Sequence, residues 1–176
     1  MNAVISEEYK ELNRQLHEER DDYGRSGEHY KDMVLQVASA IKAESILDYG
    51  AGKCTLANAL PHLPIVSYDP AIEELSEPPA PAQMVVCTDV LEHIEPELLD
   101  NVLDDIQRLA LKVAFFTVAT RPAKKTLADG RNAHLIVEPA EWWLPKFLAR
   151  WRLDTFNRVG DGMFLCSVSN KEWEPQ

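Results

Sequence analysis

Closely spaced cysteines are missing from this sequence. Its three cysteines, Cys54, Cys87 and Cys166, lie far apart and form no CxxC pair. Because structural zinc sites usually draw on such pairs, none is expected here. Cys87 and Cys166 each lie in an apolar segment, which predicts buried free thiols. Unpaired thiols suit the reducing cytoplasm, where we expect the protein to be.

Long apolar segments are absent as well. No segment approaches the roughly 20 apolar residues that a helix needs to span a bilayer, so no membrane association is expected. Residues 1–20 are highly charged and contain no apolar stretch, which disfavours a signal peptide.

Basic residues are scarce. Lys and Arg number 18 against 29 Asp and Glu, and the formal net charge is −11. Non-specific nucleic-acid binding needs clustered cations that displace counterions, so this balance disfavours nucleic acid as a partner without excluding a local basic patch. The most basic stretch contains Arg121, Lys124, Lys125 and Arg131. It is either a solvated loop or a contact for a phosphate or an acidic substrate.

Two common nucleotide-binding motifs are also missing. The pattern Gly50-Ala51-Gly52 has Thr55 where G-x-G-x-x-G requires a third glycine, and no GxxxxGK[ST] sequence occurs. A nucleoside triphosphatase is therefore not expected.

The order of the predicted elements indicates an α/β fold. Strands are predicted over 45–49, 64–69, 83–88, 112–120, 152–159 and 163–169, and helices over 6–22, 28–42, 55–60, 95–110 and 139–150. This alternation predicts a doubly wound, mostly parallel sheet with helices on both faces and a C-terminal antiparallel hairpin. We expect residues 1–44 to form a helical segment that packs on the core, and 45–176 to form the main domain.

A glycine turn follows the first predicted strand. Glycines at Gly50 and Gly52 allow a close approach of ligand to backbone, and ligands bind at the carboxyl ends of the strands in such sheets. The second strand ends at Asp69, whose carboxylate could accept two hydrogen bonds from a ribose diol. In the alternative interpretation Asp48 caps the next helix, the glycines only turn the chain, and Asp69 is solvated.

Three motifs together resemble those of class I S-adenosylmethionine-dependent methyltransferases. Leu47-Asp48-Tyr49-Gly50-Ala51-Gly52 resembles motif I, Tyr68-Asp69 resembles the acidic end of motif II, and Asp89-Val90-Leu91-Glu92-His93-Ile94 resembles the DVLEH motif. Their order and spacing are similar to the family pattern over residues 45–170. The resemblance implies a Rossmann-like methyltransferase fold and S-adenosylmethionine as the cofactor.

The resemblance also implies which residues contact that cofactor. Asp48, Gly50 and Gly52 would surround its methionine part, Asp69 would hold the ribose, and Thr88 and Asp89 would line the floor. The full set of expected contacts is Asp48, Tyr49, Gly50, Ala51, Gly52, Asp69, Pro70, Thr88 and Asp89.

The sequence departs from the family pattern at two places. Lys53 stands where a third glycine is usual, and its side chain must point away from the cofactor. Only 14 proline-rich residues separate Asp69 from Met84, so the usual third strand and its helix do not fit. We expect a sheet without that edge strand, with Pro70, Ala71 and Ile72 left to contact adenine.

Histidines are the candidate catalytic residues. His93 or His134 could act as general base on an acceptor hydroxyl. Asp89, Glu92 and His93 are also similar to the ExxEH metal motif of small-RNA 2′-O-methyltransferases and ubiquinone-pathway O-methyltransferases. In the former a later histidine completes the divalent-metal site, and His134 is the candidate for that role. We assign no metal, because DVLEH often occurs without one; in that alternative His93 forms a hydrogen bond to a backbone carbonyl.

The resemblance implies a methyltransferase acting on an oxygen or nitrogen of a small-molecule or macromolecular acceptor. A non-catalytic accessory subunit is the alternative suggested by Lys53 and the missing strand. A nucleic-acid-modifying enzyme, viral or cellular, is a second alternative, suggested by the small size and the basic loop. By analogy with similar enzymes, Tyr23, Ser26 and Tyr30 are candidate lid residues over the cofactor.

Overall fold

The computed structural model describes residues 2–19 and 26–174, with side chains from residue 17 to residue 19 left out. The helices are α1 (Glu7–Glu19), α2 (Lys31–Ala40), α3 (Thr55–Ala59), α4 (Leu99–Leu109) and α5 (Ala140–Arg150). The strands are β1 (Ile46–Tyr49), β2 (Ile65–Tyr68), β3 (Ala82–Thr88), β4 (Ala110–Ala119), β5 (Trp151–Val159) and β6 (Met163–Asn170). In the described part of the chain, none of these helices has the length and apolar character needed to cross a membrane.

The strands form one sheet in the order β2-β1-β3-β4-β6-β5. The first four pair in parallel, and β6 lies antiparallel between β4 and β5. This arrangement confirms the predicted parallel sheet with its C-terminal antiparallel hairpin. It also confirms the prediction that the usual third strand is absent. Among the described residues β2 is the edge strand, and the only element between β2 and β3 is a short 3-10 turn at Glu73–Leu75.

Both faces of the sheet are covered by helices. On one face, the apolar side of α4 and the aromatic residues of α5 pack against β3 and β4, with Trp143 and Phe147 fully buried. On the other face, Val34 and Ala38 of α2 and Leu56 of α3 pack against Met84 and neighbouring strand residues. Burial on both faces explains why the central strands are almost entirely apolar in sequence.

Two helix starts differ from the sequence prediction. The predicted helix over 95–110 begins as a 3-10 turn at Pro96–Leu98, and α4 starts only at Leu99. Glu95 precedes Pro96 and has a ψ of 125°, because a residue before proline is disfavoured in the helical region. Its carboxylate accepts hydrogen bonds from the N–H and hydroxyl groups of Ser6, at 2.8 and 2.5 Å. The predicted helix over 28–42 likewise begins with a 3-10 turn, at Ser26–Tyr30.

The tryptophan pair divides between core and surface. Trp143 is buried, and its indole N–H donates to the carbonyl of Glu138 at 3.2 Å. Trp142 is exposed, and the Lys146 ammonium lies 4.4 Å from its ring centre. Both residues are therefore accounted for by packing.

Candidate functional site

β1 ends in a tight turn whose two glycines have left-handed backbones. The φ angles of Gly50 and Gly52 are 78° and 51°, values that favour glycine. A Cβ on Gly50 would lie 2.5 Å from a Cγ atom of Val90, so this position has no room for a side chain. The N–H groups of Gly50 and Ala51 both donate to the carbonyl of Tyr68, at 2.8 and 3.0 Å. The turn is thus fixed against the end of β2.

The carboxylate of Asp69 holds the same turn from the other side. Its Oδ2 accepts the N–H of Gly52 and its Oδ1 accepts the N–H of Ala71, each at 3.0 Å. Asp69 is buried, so it is not a solvated loop acid. Each carboxylate oxygen can still accept another hydrogen bond, which is what a ribose diol would require.

Asp48 places a second buried carboxyl group beside Asp69. Burial, and then the negative charge of Asp69, raise the pKa of Asp48 to about 7. Asp48 does not cap the following helix, because the N-cap position of α3 is Cys54 and no side-chain cap bond forms there. A carboxyl group with this raised pKa, facing a cleft, favours a cationic ligand.

A single cleft brings together the nine residues of the expected cofactor-contact set. Its lining includes Asp48, Tyr49, Gly50, Ala51, Gly52, Asp69, Pro70, Thr88 and Asp89. Ala71, one of the expected adenine contacts, also lines the cleft, but Ile72 and Lys53 do not. Tyr49 offers the cleft little more than its backbone, since its hydroxyl donates to Asp105 on the far side at 3.1 Å.

The N-terminal segment forms one wall of the cleft, which the sequence did not reveal. Val4, Ile5, Tyr9 and Asn13 all line it. The hydroxyl of Tyr9 donates to the carbonyl of His93 at 2.5 Å and thereby ties α1 to the loop after β3. The apolar stripe of α1 indicated an inward face, but no local signal showed which part of the sheet that face would meet.

One candidate lid residue contacts the site directly. The hydroxyl of Ser26 donates to Oδ2 of Asp89 at 2.6 Å. Tyr30 lies against the neighbouring cavity described below, and Tyr23 lies outside the described residues. Asp89 itself has a left-handed backbone (φ 58°), and its N–H donates to the Thr117 hydroxyl at 3.0 Å. This unusual conformation turns the chain sharply at the end of β3.

The two candidate catalytic histidines lie side by side. The rings of His93 and His134 are perpendicular, with their centres 4.7 Å apart. Burial lowers the pKa of His93 to about 4, although the charge of Asp89 opposes the shift. Nδ1 of His134 lies 2.6 Å from the carbonyl oxygen of Arg121 and must carry the proton of that hydrogen bond. In the neutral ring Nε2 is then the unprotonated nitrogen, available to take a proton.

Asp89 joins the two histidines in a group that could hold a metal. One ligand atom from each of Asp89, His93 and His134 lies within 4.8 Å of the others. Glu92, the fourth residue suggested by the metal-motif resemblance, is not part of this group. The structure thus brings together three of the four suggested ligands.

Glu92 instead lies in the core beneath the site. Its Oε1 accepts the N–H of Ala119 at 2.6 Å, while its Oε2 is buried without a hydrogen-bond partner among the described residues. Burial, and then the charge of Asp89, raise the pKa of Glu92 well above its ordinary value. Burial therefore favours the protonated form of Glu92, which joins the ends of β3 and β4, a role that its position in the motif did not reveal.

A second cavity of about 400 Å³ adjoins the cleft. Ser26, Asp89 and His93 line both spaces, and His134 lines only the second. Three of the four residues of the basic stretch, Arg121, Lys124 and Lys125, also line this cavity.

Arg131, the fourth residue of the basic stretch, lies elsewhere. Its guanidinium pairs with Asp129 at 2.6 Å and lies 5.9 Å from the ring centre of Tyr9. The basic stretch is thus split between the cavity and the outer side of the loop.

No protein-family model matches the sequence, and no curated protein matches it. Solved structures do match. One is the 1,6-didemethyltoxoflavin-N1-methyltransferase of Burkholderia thailandensis, with bound 1,6-didemethyltoxoflavin and S-adenosylhomocysteine. It has a TM-score of 0.67 and 15% identity, over 98% of this chain and 94% of that one. DhpI in complex with S-adenosylhomocysteine matches with a TM-score of 0.65 and 15% identity, over 96% of this chain and 100% of that one.

The chain has the class I methyltransferase fold. The methyltransferase domain of a bacterial Hen1, CtHen1, also shares this fold, with a TM-score of 0.57 and 13% identity over 79% of this chain and 96% of that one. The fold predicted from the three motifs is therefore confirmed. Within this methyltransferase fold, the cleft lies at the carboxyl ends of β1, β2 and β3, where ligands bind in open α/β sheets.

Proposed function

We propose that the protein transfers a methyl group from S-adenosylmethionine to an oxygen or nitrogen of an acceptor. The observation that carries the proposal is the shared wall between the cleft and the second cavity. Ser26, Asp89 and His93 line both spaces, so a methyl donor in the first and an acceptor in the second would meet there. The methyltransferase fold of the chain supports the same conclusion.

The residues of the cleft fit this donor chemically. S-Adenosylmethionine brings an electrophilic methyl group on a sulfonium, together with an ammonium group and a ribose diol. Asp69 offers acceptor oxygens to the diol, and Asp48 offers a carboxylate to a cation. The glycine turn lets the ligand approach the backbone closely, since Gly50 and Gly52 carry no side chains.

The residues of the second cavity are suited to handle the proton of the acceptor. An acceptor lone pair forms the new bond to the methyl carbon while the carbon–sulfur bond breaks and sulfur keeps the bonding pair. The proton released by the acceptor passes to Nε2 of His134, which the bond from Nδ1 to the Arg121 carbonyl leaves unprotonated. His93 packs on that ring and limits its rotation. Holding donor and acceptor in line supplies much of the remaining rate.

Calorimetry with S-adenosylmethionine tests donor binding through the titration of Asp48. Below pH 7 the free carboxyl of Asp48 is largely protonated, because its pKa is about 7. A cation bound beside it lowers this pKa, so binding releases a proton and the affinity rises as the pH rises toward 7, by at most about tenfold per unit. We expect release of nearly one proton at pH 6, less at pH 7.5, and none in Asp48→Asn. Release is measured as the difference in heat between buffers of unlike ionisation enthalpy.

Two outcomes would count against donor binding. Absence of any binding heat at millimolar S-adenosylmethionine would contradict the proposed donor and favour the accessory-subunit alternative. Tight binding at pH 6 with no proton release, or with the same release in Asp48→Asn, would show that the methionine part of the ligand does not bind beside Asp48.

Replacing the histidines tests catalysis separately from donor binding. We expect His134→Ala to lower methyl transfer about a hundredfold or more while S-adenosylmethionine binding is retained, because general-base catalysis contributes on this scale. His93→Ala should also lower turnover, since His93 packs against the base. Transfer of labelled methyl to small-molecule, protein and nucleic-acid extracts is the measurement, and it also identifies the acceptor class.

His62→Ala is the matched control, because His62 is an exposed histidine outside both spaces. Unchanged turnover in both site variants would refute the assignment of the base. Label appearing mainly in nucleic acid would favour the nucleic-acid-modifying alternative.

A further inference from the structure

The second cavity is unusually basic for so acidic a chain. Its described lining contains three cationic side chains, Arg121, Lys124 and Lys125, and a single carboxylate, Asp89. The chain as a whole carries a formal net charge of −11. The cavity lining is therefore locally positive although the chain as a whole is negative. A positive local potential favours an anion inside the cavity.

Arg121 differs from the other arginines that the structure describes. Those six each form an ion pair with an aspartate or glutamate: Arg14, Arg108, Arg131, Arg150, Arg152 and Arg158. Arg121 has no carboxylate partner among the described residues, although acidic residues outnumber basic ones. A guanidinium that is left unneutralised beside a cavity is suited to bidentate binding of a carboxylate or phosphate.

The structure also fixes where the Arg121 side chain lies. A Cβ on Gly162 would come within 2.7 Å of Cδ and 2.9 Å of Nε of Arg121, so the arginine packs directly over that glycine in the β5–β6 turn. Asn132 closes the loop that carries both Arg121 and His134, because its side chain bonds the backbone N–H and the carbonyl of Ala123, each at 2.9 Å. The cation and the imidazole thus lie on one loop that these hydrogen bonds close.

We propose that the acceptor is a small molecule with a carboxylate or phosphate group, which Arg121 binds with Lys124 and Lys125 so that the nucleophile lies at Asp89 and the histidine pair. This proposal rests on the proposed function, whose second substrate it specifies. A cavity of about 400 Å³ has the size of a small-ligand site. The three cations of this group line one cavity, whereas a nucleic-acid backbone would need an extended basic track.

Titration with simple anions tests the proposal without knowledge of the acceptor. We titrate two anions, phenyl phosphate and benzoate, and the uncharged analogue phenol into the protein. Each titration is done with and without saturating S-adenosylhomocysteine, and binding is followed by calorimetry. We expect one or both anions to bind and phenol not to bind. Arg121→Gln should weaken the anion at least about tenfold, because a charge-assisted bidentate bond is lost. Comparing phenyl phosphate with benzoate distinguishes a phosphate from a carboxylate group.

Arg131→Gln is the matched control, since it removes the same charge from the same loop but outside the cavity. It should leave the anion affinity within twofold of wild type. Gly162→Ala keeps the charge but displaces the Arg121 side chain, and it should also weaken the anion.

Three results would overturn the proposal: no binding of either anion at tens of millimolar, equal binding in Arg121→Gln and wild type, or a single-stranded oligonucleotide that binds more tightly than both anions. Because the anions are also titrated without S-adenosylhomocysteine, a failure of donor binding and a failure of anion binding are seen separately. Loss of donor binding alone would leave an anion site in a protein with another function.

Discussion

Asp69→Ala is expected to weaken S-adenosylmethionine binding by about a hundredfold or more. The variant removes the two acceptor oxygens proposed for the ribose diol, and hydrogen bonds to a charged group contribute about 1.5–3 kcal/mol each. It also frees the N–H groups of Gly52 and Ala71, which Asp69 holds in place, so the turn that surrounds the ligand loosens. The measurement is the dissociation constant from calorimetry at pH 7.5 for wild type and variant.

Glu74→Ala is the control for this experiment. Glu74 is an exposed acid five residues further along the same connection and does not line the cleft. Its removal changes the local charge equally but should leave the affinity within twofold. Thermal unfolding without ligand shows whether Asp69→Ala is still folded. A folded Asp69→Ala that binds within threefold of wild type would show that Asp69 does not hold the ribose.

Glu92→Ala is expected to lower the free energy of unfolding by about 3 kcal/mol. The change leaves a cavity in a fully buried position and removes the acceptor of the Ala119 N–H, and each effect alone costs on the order of 1–3 kcal/mol. For a chain of this length we expect the melting temperature to fall by roughly 6–12 °C. Urea unfolding and calorimetric melting are the measurements.

Glu92→Gln should be tolerated, because glutamine is the uncharged isostere of a protonated carboxyl group. Because the pKa of Glu92 is higher in the folded than in the unfolded chain, its stabilising contribution is complete when the pH is below the unfolded-state pKa. The contribution is lost as the pH rises through the folded-state pKa. Glu92→Gln cannot ionise, so its stability relative to wild type should improve as the pH rises above the ordinary pKa range of a glutamic acid. The exposed Glu97→Ala should change stability by no more than about 0.5 kcal/mol. If Glu92→Gln is as unstable as Glu92→Ala, the protonated form of Glu92 does not stabilise the fold.

The fold was predictable because its signals are local. The buried strands are nearly continuous apolar segments, and the glycine turn after β1 and the acid after β2 fall at the ends of two neighbouring strands. Chain length alone excluded the usual third strand, since 14 residues between Asp69 and Met84 cannot hold a strand and a helix. Parallel pairing then brings Asp48, Asp69 and Asp89 to one edge of the sheet.

The parts of the site that the sequence did not reveal depend on distant contacts. Tyr9 reaches His93 and Ser6 reaches Glu95 across more than 80 positions of the chain, and no periodicity predicts such partners. Within the DVLEH motif, the short turn after Asp89 sends Glu92 into the core and His93 toward the cleft, although the two are adjacent in sequence. The basic loop gave no sign that Arg121 and Arg131 would face different surroundings.

The shortened edge of the sheet bears on the choice of nucleobase. Pro70 has no N–H, the N–H of Ala71 is taken by the Asp69 carboxylate, and the N–H of Ile72 donates to the Asp69 carbonyl at 3.3 Å. Residues 70–72 therefore present no unshared backbone N–H to a purine ring nitrogen. A base placed against these residues would be held there by shape and apolar contact, and any hydrogen bond to its ring would have to come from another wall of the cleft.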